Sequence, residues 1–153
     1  MMKLILPKQI RSQLEAALQD AGGREIGGIL MGKHVAESTF RVMDLTIQSR
    51  GGNVFSFVRQ LRAALSALSA FFHRTRHEYR RFNYLGEWHS HPCFATHPST
   101  TDSATMWEIA EDSHVGANFV VLLIVRLDNQ QFRANAFLYM LGHPVTEAQV
   151  FLE

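Results

Sequence analysis

In the stretch WHSHPCFATHPSTTD, Trp88 to Asp102, histidines at alternate positions run into a proline and then into a helix start. Side chains two apart on a strand share a face, so His89 and His91 present their imidazoles side by side while Trp88 and Ser90 point the other way. Pro92 cannot extend a central strand, so the chain turns there and leaves both histidines at a strand end that a ligand can reach. Ser99 and Asp102 have the spacing of a helix cap followed by an acidic residue three positions later. The carboxylate of a capping box in the first turn of that helix is also well placed as a third ligand. Two neutral imidazoles and one carboxylate leave a position for water, the donor set of a catalytic zinc rather than a structural one.

Read outward from this stretch, the chain predicts a mixed α/β sandwich. Upstream, Tyr84 to Ser90 reads as a strand; downstream, a helix begins at Ser99 and FVVLLIVRL is continuous enough to be a central strand buried on both faces. Phe132, Ala134, Ala136 and Leu138 alternate with other residues beyond the DNQQ turn, which predicts an antiparallel hairpin with that central strand. Nearer the start, Ile10, Leu14, Ala17 and Leu18 at helical spacing, with Pro7 before them and Gly22-Gly23 after, predict an amphipathic helix. IGGILMG and the stretch from Phe40 to Ile47 read as two strands of a hairpin. Gly51-Gly52-Asn53 marks a turn, and Leu61, Leu65, Leu68 and Phe72 then repeat at helical spacing. The end of that long helix, HRTRHEYRR, gathers cations where the helix dipole favours them and reads as a solvated face.

Composition narrows the function. A 153-residue chain with 46% hydrophobic residues is expected to form one domain, taken as residues 1–153. Lys and Arg outnumber Asp and Glu by only 15 to 14, so no global field favours nucleic acid or an acidic membrane. One cysteine, Cys93, excludes an internal disulfide and every multi-cysteine zinc pattern, and it fits a reducing, cytoplasmic setting. The longest apolar run, Phe119 to Val125, is far short of the roughly 20 residues that span a bilayer.

A hydrolase built on such a site needs a carboxylate to take a proton from water, and Glu25 and Glu87 are the candidates. Strand parity favours Glu87, which shares a face with His89 and His91; Glu25, in GREIGGILMG, needs tertiary structure to arrive. Other features carry less. Cys93 lacks a Cys/His/Asn arrangement, and the HxE and second cysteine of zinc deaminases are missing. His73 and His77 lie one helical turn apart without the glutamate of HExxH. His97 either lines the site mouth or is exposed.

An acidic residue ahead of a GGILMG strand, then HSHP, six residues and SxxD, resembles the JAMM (JAB/MPN) metalloproteases. The similarity covers nearly the whole chain, and it implies that family's curved mixed sheet flanked by helices, a cytidine-deaminase-like architecture. Residue by residue it implies His89, His91 and Asp102 as ligands to one zinc ion, Glu25 as general base and Ser99 as a donor near the oxyanion, with Glu87 left as a bystander or as support for a ligand. It further implies a peptidase or isopeptidase that removes a ubiquitin-like modifier or related C-terminal adduct from a protein, in the company of conjugation enzymes and in some cases within antiphage defence. Processing of a small sulfur-carrier protein, a metal-free scaffold and an iron(II) oxygenase triad are the alternatives. The triad's usual all-β barrel conflicts with three predicted helices.

Overall fold

The computed structural model describes the backbone of residues 1–50 and 54–153, with side chains described for all of these but 54–59. In chain order the elements are β1 (Lys3–Leu6), α1 (Lys8–Ala21), β2 (Ile26–Ala36), β3 (Thr39–Leu45), β4 (Gln48–Ser49), α2 (Val54–Arg74), β5 (Phe82–Ser90), α3 (Thr100–Glu111), β6 (Val120–Asp128), β7 (Gln131–Tyr139) and β8 (Thr146–Leu152). The strands run in the order β3-β1-β8-β7-β6-β5-β2-β4, and β2 pairs again with β3. The pairings therefore trace a closed circuit, so the mixed sheet is strongly curved and buries its long edges against each other.

The expected β2–β3 hairpin, the three helices and the β6–β7 hairpin are present. The turn expected at 51–53 lies outside the described residues. Three strands have no counterpart in the sequence reading, β1, β8 and the two-residue β4 that pairs with the start of β2. β1 is a four-residue strand that pairs in parallel with both β3 and β8. β8 shows only Ala148 fully buried, so it offers almost no alternation to detect. Both owe their state to distant partners, and that is why local pattern did not reveal them.

β6 explains how the layers form. Val121, Leu123 and Val125 join a cluster with Ile10, Leu14 and Leu18 of α1, whereas Val120, Leu122 and Ile124 join Met106 and Ala110 of α3. Period-two alternation thus buries a continuous apolar strand on both faces, as its sequence predicts. β5 runs parallel to it with Trp88 beside Leu123 and His89 beside Ile124. Trp88 consequently enters the α1 side of the core, and His89 is turned to the α3 side.

Gly86 allows this crossing. Its φ of +146° is a conformation that side chains rarely adopt, and a Cβ there would lie 1.9 Å from the carbonyl oxygen of Val121.

α2 departs from its apolar stripe. Ala64 and Phe71 are buried, and Phe71 meets Phe82 of β5 edge-on, while Leu61 and Leu65 stand 48% and 58% exposed. The helix exists where leucine spacing predicts it, but packing against β2 and β5 selects a neighbouring face. Among the described residues, no helix is long and apolar enough to cross a membrane.

Candidate metal centre

The site forms where the C-terminal ends of β5 and β6 meet the N-terminus of α3. Ser90 faces away from it and accepts a hydrogen bond from the Ile26 amide, 2.9 Å, which ties β5 to the start of β2. Trp88 is likewise anchored on the far side, its indole donating to the Thr46 carbonyl at 2.7 Å. With both alternate residues locked, His89 and His91 have no freedom but to face α3. The backbone amide of His91 extends the β5–β6 ladder by donating to Val125, and the chain then leaves the sheet at Pro92.

α3 begins with a full capping box. The Asp102 amide donates to Ser99 Oγ, and the Ser99 amide donates to Asp102 Oδ2, each at 3.0 Å. This fixes the Asp102 carboxylate beside the histidines. His91 Nε2 lies 3.1 Å from Asp102 Oδ2, and His89 Nδ1 lies 3.4 Å from Asp102 Oδ1. All three residues are buried, at 5% exposure or less. Burial alone would raise the Asp102 carboxyl, but the hydrogen bonds with Ser99 and the nearby charges of His89 and Arg50 bring it below its ordinary value.

The outer nitrogens of both rings are also engaged. His91 Nδ1 contacts the Ala95 carbonyl at 2.9 Å, which can only accept, so that nitrogen carries a proton, and in the neutral ring Nε2 presents a lone pair to Asp102. The Phe94 ring, 45% exposed, stacks on His91 with centroids 4.1 Å apart and covers it from solvent. His89 Nε2 lies 3.3 Å from Glu87 Oε2, which places a proton on Nε2 and, in the neutral ring, leaves Nδ1 as a second lone pair. Burial, helped by the Glu87 charge, pushes the neighbouring Tyr84 phenol far up, so it stays protonated beside that carboxylate.

A family model described as prokaryotic homologues of the JAB domain matches residues 7–141. The chain belongs to this family. The matched range takes in every residue of the site described above. A solved structure with a related fold is the solution structure of protein DSY2949 from Desulfitobacterium hafniense, at 22% identity and a TM-score of 0.63, over 98% of this chain and 92% of that one. That likeness concerns the fold. No curated protein matches the chain.

In this JAB-domain chain, the ring tautomers set by Ala95 and Glu87 test whether the residues suit a metal. They turn His89 Nδ1, His91 Nε2 and the Asp102 carboxylate toward each other, and in the neutral rings all of these are acceptors. His89 Nδ1 is buried and makes no hydrogen bond. Such a set needs a cation, either a proton or a metal ion, and two His with one carboxylate are donors that zinc accepts. The spacing is also suitable, since two donors on one tetrahedral ion at about 2.1 Å lie about 3.4 Å apart. The two contacts use different oxygens of Asp102, and among the described residues no group of three or more His, Cys, Asp or Glu side chains is arranged to hold an ion as it stands.

The two candidate bases separate. Glu87 touches His89 directly, as parity predicts. Glu25 immediately precedes β2, with its side chain 46% exposed, and reaches the site through Arg50, whose guanidinium lies 3.9 Å from Glu25 Oε2 and 3.6 Å from Asp102 Oδ1. Arg50 is a site residue that the sequence did not single out. Its one local signal is position, a cation just before the Gly51-Gly52 pair, and only β2–β4 pairing brings it to the histidines.

The remaining candidates lie apart. Cys93 is exposed, His97 is exposed and packs edge-on against Phe137, and the exposed His73 and His77 rings stand 6.5 Å apart, His77 lying in the turn beyond α2 rather than one helical turn along it.

Proposed function

We propose that this JAB-domain chain, residues 1–153 as one domain, is a cytoplasmic zinc-dependent peptidase or isopeptidase that removes a ubiquitin-like modifier or related adduct from a protein. The observation that carries the proposal is the buried convergence of His89 Nδ1, His91 Nε2 and the Asp102 carboxylate. A zinc ion held by these three residues would supply Lewis-acid polarisation of the scissile carbonyl and activation of water.

The chain's own groups account for the rest. Glu25, solvent-facing at the start of β2, takes the proton from water and returns it to the departing amine. Ser99 Oγ already accepts from the Asp102 amide, so its own hydroxyl proton remains free to donate to a developing oxyanion. Glu87 holds His89 in the required tautomer, and Ala95 does the same for His91. Phe94 keeps bulk water from the His91 ring. Exposed Leu61 and Leu65 on α2 offer a surface for the body of a protein substrate. Conjugation enzymes encoded nearby are the expected functional partners, with neither nucleic acid nor membrane involved.

Purified protein is expected to bind one equivalent of zinc and to cleave fusions bearing Gly-Gly tails in a chelator-sensitive manner. Zinc uptake without cleavage of any such tail would redirect the reading to another adduct. Failure to take up zinc would favour a non-catalytic scaffold.

A further inference from the structure

Arg50 stands where a cation is needed. Its guanidinium faces Asp102 Oδ1 at 3.6 Å and Glu25 Oε2 at 3.9 Å, so it is paired to one buried carboxylate and one exposed one. Asp102 Oδ1 is also the oxygen that faces His89 Nδ1. The backbone around Arg50 is held independently, since its amide donates to the Glu25 carbonyl at 3.0 Å. The stem passes over Gly27, where a Cβ would come within 3.4 Å of Arg50 Cδ, 3.2 Å of His89 Cδ2 and 2.5 Å of the Trp88 carbonyl oxygen. Any larger residue there would crowd the ring and obstruct this path.

We propose that Arg50 is a resident cation that holds the Asp102 and Glu25 carboxylates when no metal is bound and swings aside on loading, so that it sets the metal affinity of the site. This rests on the zinc reading above. An arginine keeps its charge at every relevant pH, so it cannot be neutralised to make room and has to move. The geometry suits movement: both contacts are ion-pair distances rather than tight hydrogen bonds, and 31% of the side chain is exposed. A divalent ion beside Asp102 repels the guanidinium and replaces the charge that it supplies. Without either cation, the buried Asp102 carboxylate would lose the guanidinium charge that faces its Oδ1.

The test uses full-length native protein, Arg50→Gln and Arg50→Lys, stripped of metal. Zinc affinity is measured by competition with a chromophoric chelator, and melting is followed with and without zinc. Arg50→Gln is expected to bind zinc about tenfold tighter than native, the size expected when one partly screened charge about 4 Å away is removed. Its metal-free form is expected to melt about 2–4 °C lower. Arg50→Lys retains the charge and stays near native in both readouts. Equal or weaker zinc binding by Arg50→Gln, or an unchanged metal-free melting temperature, would overturn the inference while leaving the zinc site intact. Absence of zinc binding in all three proteins would remove the zinc reading and this inference with it.

Discussion

His91 Nε2 and Asp102 Oδ2 face each other at 3.1 Å, joining the end of β5 to the first turn of α3. The Ala95 carbonyl holds a ring proton on the opposite nitrogen, so in the neutral ring Nε2 and the carboxylate are both acceptors. A buried pair of acceptors is unfavourable until a cation lies between them.

Removing either acceptor therefore has a metal readout. Asp102→Asn preserves shape and can still serve the helix start, yet it is expected to weaken zinc binding by at least about 100-fold. His89→Ala and His91→Ala are expected to purify without zinc. Elemental analysis and chelator competition check this, and a variant that retains native affinity would eliminate that residue as a ligand.

Ser99 has two separable roles. As the α3 cap it supports the helix, so Ser99→Ala is expected to cost about 1 kcal/mol, whereas Ser99→Gly costs only a few tenths. As an oxyanion donor it is absent from both variants, and both are expected to lose about 10²–10³ in kcat. Denaturant melts and steady-state rates on one substrate distinguish the roles. Activity that tracks stability across the two variants would leave Ser99 as a cap alone.

Glu25 and Glu87 are expected to differ in kind. Glu25→Gln should keep zinc and lose about 10²–10⁴ in turnover. Glu87→Gln, by loosening His89, should weaken zinc binding by about 10–100-fold and recover part of its activity at high zinc. If Glu87→Gln is instead fully loaded and inactive, Glu87 is the base, as strand parity alone suggests.

A pH effect is expected at the pair formed by Arg41 and Glu153, whose guanidinium and carboxylate make two contacts at 2.5 and 3.0 Å. The hydrogen bond from Arg41 holds the Glu153 carboxyl below its ordinary value, with the Arg41 charge adding to it. A lowered folded pKa stabilises the fold above the unfolded value of about 4.3, and the benefit disappears as pH falls through the folded value. The melting temperatures of native protein and Glu153→Gln should differ near neutrality and converge in acid. A difference that persists at low pH would show that the pair's charge is not the cause.

The grouping of His89, His91 and Asp102 was legible because these residues are local in sequence. His89 and His91 share a face by strand parity, Pro92 ends the strand, and Ser99 with Asp102 spells a capping box, so short-range geometry alone gathers three donors. β6 was equally legible, since a strand buried on both faces must be apolar throughout. Tertiary structure decided what depends on distant partners. β1 and β8 exist only as ladder neighbours, α2 turns Phe71 inward rather than Leu61 and Leu65, and the β2–β4 pairing delivers Arg50 between Glu25 and Asp102. In each case the deciding energy is a contact between segments far apart in the chain, which residue spacing cannot encode.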